Sequence, residues 1–511
     1  MTRTDNSIRN IKFGTLGLFL SYVVNFVSRR FFVMYLSAEH LGVNGLFTNI
    51  LTVLSLMELG VGTAVGYSLY RPLALQETKK IQLIMQFYRK AYWIIGLSVI
   101  AIGFAITPLL PLLITEETII PHLYPIYWLF VVNSGVSYFL SYKRTLVIAD
   151  QKRYINTNYQ YGFQVLKCLI QIGILITTQS FILYLLVMLI TTVVENVLIS
   201  MKITNLYPYL RERQKEKLGT EEERQIKKNI FALTFHRIGA VIVNGTDNIL
   251  MVMFVNLASA GIYSNYTMVT KALNSVLAIF YQSLTASVGN FVVEKENPAS
   301  MPLFDQLNAA TFWLFGFCSI CLYVLFNPFI EIWLGPAYQF SQSAVLIIVI
   351  NFYIVGMLRP VRTFYASMGL FWFDRYKPIF ESSINLIFSI ILVKRFGLIG
   401  ILAGTTISSF ATIFWFEPYI LYRHGFGQRV SGYFIQYVRM TALTVIVGLL
   451  TYLLIEFMTL TNIYLEFFKN MLICATIPNV LFFLIYRSLK EGRDMRLLVK
   501  RVLVKRRGVR K

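Results

Sequence analysis

The sequence predicts an all-α polytopic membrane protein with about fourteen transmembrane helices. Of its 511 residues, 56% are hydrophobic and only 14% are charged, whereas soluble proteins carry about 25% charged residues. Apolar runs of about 20 residues, the length that crosses about 30 Å of hydrocarbon, recur along the whole chain. These runs are continuous rather than alternating, which excludes a transmembrane β-barrel.

Fourteen runs have the length and composition of membrane spans. We place them, to within a few residues, at 11–36, 43–70, 83–107, 122–142, 156–177, 180–201, 229–255, 260–290, 304–330, 341–367, 376–394, 398–422, 434–458 and 465–487. The first run lacks a small-residue cleavage site, so we expect it to remain as a membrane helix.

Basic residues concentrate in every second connection between these spans. Eight lie between Lys202 and Lys228, and eleven lie between Arg487 and Lys511. Because Lys and Arg accumulate in cytoplasmic loops, this pattern predicts that both termini are cytoplasmic. It also explains the net charge of +22 without a nucleic-acid partner. The basic tail after Arg487 is a topology anchor at the anionic lipid surface or a docking segment for partner proteins.

A weak internal repeat divides the chain. LSAEHLGVNGLFTNI (36–50) aligns with VNLASAGIYSNYTMV (255–269), which places Gly42 over Gly261, and Arg144 aligns with Arg362 at almost the same offset. Six spans per repeat is an even number, so the two lobes run parallel. The predicted domains are an N-lobe at 1–205, a cytoplasmic linker at 206–228, a C-lobe at 229–425, two added spans at 426–487 and a cytoplasmic tail at 488–511.

One stretch resembles a known family. YLSAEHLGVNGLFTNILTVLSLMELGVGTAVGYSLYRPLA (35–74) and YRKAYWIIG (88–96) look like the Wzx-like polysaccharide flippases of the multidrug/oligosaccharidyl-lipid/polysaccharide (MOP) exporter superfamily. The resemblance implies a V-shaped protein with a central cationic cavity. It also implies transfer of an undecaprenyl-diphosphate-linked oligosaccharide from the inner to the outer leaflet of a bacterial plasma membrane, for capsule, O-antigen or exopolysaccharide synthesis.

Charged and polar residues inside the apolar spans are the candidate site. A charge at the bilayer centre costs about 2.5–3.5 kcal/mol, so such residues usually face a cavity, and cations there favour an anionic cargo. The predicted substrate-binding cations are Arg29, Arg30, Arg237, Lys271, Arg359 and Arg362. The predicted gating or ion-coupling acids are Glu58 and Asp247, with Asn25, Asn244 and Asn248 as supporting polar groups.

Five of these six basic residues also have a structural interpretation. Arg29 and Arg30 would snorkel to head groups if they lay at the outer end of the first span. Arg359 and Arg362 share a helical face and would grip a diphosphate or anchor the span at the inner interface. Lys271 would form an ion pair if an acid lay opposite it.

The acids and Lys167 carry alternatives of the same kind. Glu58 would pair with a cavity arginine, hold helix packing, or bind a proton or cation. Asp247 or Glu58 would supply the partner of Lys271. Lys167 in the fifth span would pair with Glu195 in the sixth.

The leading function is a lipid-linked oligosaccharide flippase, with no cofactor and no enzymatic activity. No nucleotide-binding motif is present, and the CxxC pair at Cys318 and Cys321 favours packing over metal binding. The expected partners are the lipid-linked substrate, membrane lipids and glycan-assembly proteins. The alternatives are a cation- or proton-coupled multidrug exporter of the same superfamily and a membrane glycan polymerase.

Overall fold

The computed structural model of the chain is helical throughout the residues it describes. These are 3–58, 61–114, 121–212, 246–294, 300–370 and 376–489, with further positions at 214, 216, 218–224, 226–227, 230, 373 and 492–493. Every regular element in these ranges is a helix. The prediction of an all-α fold is therefore confirmed.

The chain divides into two compact units, Met1–Gly261 and Ile262–Lys511. The long helices of the first unit are α1 (Arg3–Tyr35), α2 (Ala38–Leu54), α3 (Val61–Ala74), α4 (Thr78–Ile106), α5 (Leu123–Ala149), α6 (Arg153–Thr178), α7 (Phe181–Leu206), α8 (246–254) and the first turns of α9 (Leu257–Glu294). Within this unit α1 packs on α6, and α5 packs on both α4 and α7.

Among its described residues, the second unit holds the remainder of α9 and eight further α-helices. These are α10 (Met301–Leu334), α11 (Gln342–Met357), α12 (Arg359–Ser367), α13 (Lys377–Phe396), α14 (Leu398–Ala411), α15 (Ile413–Ile420), α16 (Ser431–Phe457) and α17 (Ile463–Ser488). The main helix contacts in this unit join α13 to α14, and α10 to α11 and to α17.

The helices lie where the apolar runs predict them. Apart from the seventh span, 229–255, which falls partly outside the described residues, they match the predicted spans within about five residues at all but two ends. Helix α1 begins at Arg3, eight residues before the first span, and α5 ends at Ala149, seven residues after the fourth. Within the described ranges, ten helical segments are long and apolar enough to cross a membrane. Large apolar side chains such as Phe19, Leu453 and Phe483 are exposed on them, as expected where lipid is the solvent. The chain is a multi-pass membrane protein.

Three predicted spans are interrupted rather than continuous, namely the second, the tenth and the twelfth, where α14 ends at Ala411 and α15 begins at Ile413. In the second span, α2 ends at Leu54, a 3₁₀ turn covers Ser55–Glu58, and α3 begins at Val61. In the tenth, α11 ends at Met357 and α12 begins at Arg359. Pro360 has no amide to continue the helical hydrogen-bond ladder, which explains the second interruption. The first interruption lies in a glycine-rich stretch of the sequence. Because glycine is a poor helix former, this composition favours a break there.

A reciprocal glycine contact joins α2 to the first turns of α9 within the first unit. A Cβ atom on Gly42 would lie 2.0 Å from the carbonyl oxygen of Leu257, and a Cβ on Gly261 would lie 2.4 Å from that of Ala38. The repeat offset carries Ala38 onto Leu257 and Gly42 onto Gly261. The two contacts are therefore equivalent under the internal repeat, and glycine is what allows the backbones to approach so closely.

Aromatic packing fixes α12 in the second unit. Phe304 of α10 meets Phe364 of α12 edge to face at 5.5 Å between ring centroids, and Phe426 lies 5.8 Å from Phe364. All three rings are fully buried, and such pairs stabilise packing beyond their buried area. This core holds the helix that carries Arg359 and Arg362.

Candidate functional site

Arg362 belongs to an ion-pair cluster inside the second unit. Its Nε donates to Oε2 of Glu417 at 2.8 Å, and its Nη2 donates to Oε1 at 3.2 Å. The Nζ of Lys377 donates to the same Oε1. Glu417 is only 3% exposed, and a carboxylate removed from water needs such partners. Arg362, predicted as a substrate cation, thus binds an acidic side chain of its own unit.

We expect Glu417→Gln to destabilise the protein. The substitution leaves Arg362 and Lys377 without their shared carboxylate, and breaking a buried ion pair costs about 3–5 kcal/mol. We expect about 3 kcal/mol here, because the Arg362 side chain is 41% exposed and solvent screens part of the interaction. A fall in the Tm of the purified protein measures the effect. An unchanged Tm would mean that the cluster contributes nothing to stability.

Arg359 has a different environment from Arg362, three residues away. It interacts electrostatically with Arg362 and with Tyr281. In the described part of the chain, its buried Nε has no hydrogen-bond partner and no acidic side chain forms an ion pair with it. A guanidinium held beside a second cation and lacking an acid is suited to receive an anion.

The first unit contains a matching arginine–glutamate pair. Nη2 of Arg144 on α5 donates to Oε1 of Glu195 on α7 at 2.8 Å and to Oδ1 of Asn196 at 2.7 Å. Lys167, which we expected to pair with Glu195, has no ion pair to it in the structure. Arg144 therefore lies inside a helix contact and holds its own unit together, as Arg362 does in the other.

Sequence reasoning assigned neither glutamate to its arginine, because it paired Glu195 with Lys167 and did not single out Glu417. Arg144 and Arg362 were already aligned by the repeat, and Glu195 and Glu417 follow them by 51 and 55 residues. Extending the repeat into the sixth and twelfth spans would have aligned these two glutamates as well. The signal was present in the sequence, although small differences in spacing weaken it.

On α1, the predicted polar face contacts a neighbouring helix. Nε2 of Gln164 on α6 donates to Oδ1 of Asn25 at 3.1 Å, and its Oε1 accepts from the hydroxyl of Ser21 at 3.0 Å. Arg29, one turn after Asn25, is half-buried and interacts electrostatically with Tyr184 of α7. Arg30 is exposed. Asn25 thus joins α1 to α6. The two arginines occupy different environments, as expected for consecutive residues, which an α-helix rotates by about 100° from each other.

The remaining predicted residues lie near the end of the first unit and the beginning of the second. Asp247 and Asn248 are partly buried on α8, and Lys271 is exposed on α9. Arg237 and Asn244 lie outside the described residues. Of the predicted cations that are described, Arg29 and Arg30 belong to the first unit, whereas Lys271, Arg359 and Arg362 belong to the second.

Glu58 lies at the interruption between α2 and α3, in a cluster of tyrosines. The hydroxyl of Tyr92 donates to its Oε1 at 2.5 Å. The Tyr92 ring packs edge to face on Tyr88 at 4.4 Å and on Tyr138 at 5.9 Å. No basic side chain in the described ranges forms an ion pair with Glu58. A carboxyl group at a broken helix, held by a hydroxyl rather than a cation, has the form of a proton or cation site.

Comparison with solved structures identifies the fold. The chain is similar to lipid II flippase MurJ in an inward closed conformation, with a TM-score of 0.69 and 13% identity over 94% of this chain and 99% of that one. It is similar to an inward-facing multidrug resistance MATE family transporter of the MOP superfamily, with a TM-score of 0.61 and 13% identity over 78% and 94% of the two chains.

A third similar structure is a MOP superfamily transporter from Pyrococcus furiosus, described as having a binding pocket of reverse polarity. The TM-score is 0.52, with 13% identity over 83% of this chain and 97% of that one. No family model matches the chain, and no curated protein matches it. The fold is that of the MOP superfamily transporters.

Proposed function

We propose that this protein is a flippase of the Wzx-like branch, which moves an undecaprenyl-diphosphate-linked oligosaccharide from the inner to the outer leaflet of a bacterial plasma membrane. Arg359 is the observation that carries the proposal. It is a membrane-embedded guanidinium without an ion pair to any acid in the described ranges, and a diphosphate is an anion that a guanidinium binds bidentately.

The fold supports an alternating-access route for such a substrate. In transporters built from internal repeats, the substrate site lies near the bilayer midplane and one repeat rocks against the other. Under the predicted topology, the reciprocal contact of Gly42 and Gly261 lies toward the outer side. We propose that this contact, which lies within the first unit, holds the outer ends of α2 and α9 together and that transport requires it.

The polyprenyl tail would remain in lipid while the head group crosses. The two helices after the repeat, α16 and α17, present long apolar surfaces, with Leu449 and Leu453 of α16 and Phe483 of α17 all more than half exposed. These helices resemble the added spans that hold the lipid tail in the family. The tail would be bound by apolar contact alone, since it carries no polar group.

The direct test is the leaflet in which the substrate accumulates. Cells depleted of the protein should retain lipid-linked glycan in the inner leaflet, and re-expression should restore its delivery outside. A lectin applied to intact cells and to inverted vesicles separates the two pools. Normal outward delivery after depletion would refute the proposal.

The second candidate function is a cation-coupled multidrug exporter, and Glu58 favours it because no basic side chain in the described ranges neutralises this carboxyl. We predict that overexpression leaves the resistance of cells to cationic dyes unchanged, and that Glu58→Gln makes no difference to it. Minimum inhibitory concentrations measure this. Increased resistance that is lost on Glu58→Gln substitution, but kept in the exposed-site control Arg395→Gln, would favour the exporter.

A further inference from the structure

A basic pocket lies at one end of the first unit, apart from the predicted transport residues. Its volume is about 930 Å³. One wall is formed by the first half of α4, another by the second half of α5, and a third by residues 210–212, 214 and 216, which follow α7. Under the predicted topology these three elements meet at the cytoplasmic surface of the membrane.

Four cations line this pocket, namely Arg89, Lys90, Lys143 and Arg211. Lys143 donates to the hydroxyl of Thr204 at 2.7 Å, and Arg211 donates to Asn205 at 2.6 Å. None of the four forms an ion pair with an acidic side chain in the described ranges. The positive charge is therefore not neutralised by the walls of the pocket.

The acids of the pocket do not reverse this charge. Glu212 and Glu216 are exposed members of the third wall. Glu216 is already paired at 2.7 Å with Lys79, which lies outside the lining. Of the charged lining residues, four are basic and two are acidic, and one of the acids is engaged elsewhere. The pocket is suited to an anion.

Hydrogen bonds hold the third wall in place. Nε2 of Gln82 on α4 donates to the carbonyl of Tyr209 at 2.5 Å, and Nε2 of Gln214 donates to Oε1 of Gln82 at 2.8 Å. The hydroxyl of Tyr207 donates to Oδ2 of Asp150 at 2.5 Å. Burial and the nearby Asp150 raise the pKa of Tyr209 to about 12, so its hydroxyl stays protonated at physiological pH. The wall is formed before any ligand binds.

Apolar surface adjoins the cations. Trp93 lines the pocket one turn beyond Arg89, is 41% exposed, and stacks on Phe139 with ring centroids 4.6 Å apart. Ile94, beside it, is also largely exposed. Tryptophan is enriched at the membrane–water interface, and basic pockets between membrane helices on the cytoplasmic side bind phosphorylated head groups. The pocket thus combines an anion site with a surface for an acyl or prenyl chain.

We infer that this pocket binds the phosphate head group of an inner-leaflet lipid through Arg89, Lys90, Lys143 and Arg211, with the chain of the lipid along Trp93. Two sources offer this chemistry. One is a bulk anionic phospholipid, of which cardiolipin carries two phosphates, and the other is a polyprenyl diphosphate. The inference concerns binding alone, so it stands or fails independently of transport.

Native mass spectrometry of the full-length protein in detergent tests this inference. The probes are cardiolipin, undecaprenyl diphosphate and, as a neutral reference, phosphatidylcholine. We expect the double variant Arg89→Gln/Lys90→Gln to bind at least one anionic probe about tenfold more weakly than the wild type. Lys202→Gln, which removes an exposed cation of α7 outside the pocket, is the matched control and should bind as the wild type does.

The outcomes separate the two sources and define failure. Weakened binding of cardiolipin alone identifies a bulk phospholipid site, and weakened binding of undecaprenyl diphosphate alone identifies a polyprenyl diphosphate site. Weakening of both establishes a general phosphate site. Binding of both probes equal to that of the Lys202→Gln control overturns the inference. If the double variant does not fold, we expect Arg211→Gln on the exposed third wall to weaken binding of the anionic probes as well. Unchanged binding of both probes by the Arg211→Gln variant would also overturn the inference.

Discussion

Replacing Arg359 by glutamine should reduce delivery of lipid-linked glycan to the outer leaflet by about tenfold or more, with little change in Tm. The guanidinium forms no ion pair with an acid in the described ranges, so its replacement removes the proposed substrate contacts without leaving a buried carboxylate unpaired. Charge-assisted hydrogen bonds contribute about 1.5–3 kcal/mol each, which corresponds to roughly tenfold or more in affinity. Lectin accessibility on intact cells measures delivery.

Arg362→Gln is the informative comparison, because we expect it to lower the stability of the protein, whereas Arg359→Gln should not. The Arg362 side chain binds Glu417, so its replacement leaves a buried carboxylate with one partner fewer and should lower the Tm, whatever its effect on transport. Arg395→Gln, at an exposed position on α13, should change neither property. Full delivery by the Arg359→Gln variant at normal protein levels would remove this residue from the mechanism.

Replacing Gly42 by alanine should force α2 away from α9 and impair transport. The added Cβ would lie 2.0 Å from the carbonyl oxygen of Leu257, so the backbones must separate by more than about 1 Å to restore van der Waals contact. A cysteine at Leu41, which is 1% exposed, reports this separation. On a background lacking the four native cysteines, a membrane-impermeant maleimide should label Leu41→Cys about tenfold faster in the presence of Gly42→Ala.

Gly45→Ala is the matched control for that experiment. Gly45 lies on the same helix, and a Cβ there would meet no atom within 4 Å. It should leave labelling and transport unchanged, which separates steric overlap from a general effect of alanine on α2. Equal labelling rates in the Gly42→Ala and Gly45→Ala backgrounds would show that the close contact does not govern access to this surface.

The sequence predicts most of the fold because span length and loop charge are local properties. Hydropathy places α4, α10 and α16 within about five residues, since each contains an apolar run long enough to cross the bilayer. The repeat alignment also identified Gly42 and Gly261, which prove to be equivalent members of one helix contact. Hydropathy does not detect helix interruptions, so the break between α2 and α3 appears only in the structure.

The side-chain partners were less predictable, because they depend on helix contacts between distant segments. Arg362 and Glu417 are 55 residues apart, and the spans alone do not give the packing of α12 against α15 that joins them. Asn25 was predicted as a supporting polar group of the cavity, whereas in the structure it accepts a hydrogen bond from Gln164 of α6. Sequence identifies which groups are costly to bury but leaves open which of them neutralise each other.

Reconstitution of the purified protein tests the central claim most directly. Proteoliposomes are loaded with lipid-linked glycan extracted from the cell of origin, and its exposure in the opposite leaflet is followed with a lectin. We predict exposure that requires the protein, is lost with Arg359→Gln and persists with Arg395→Gln. Exposure that is the same with and without the protein, or the same in both variants, would contradict the account.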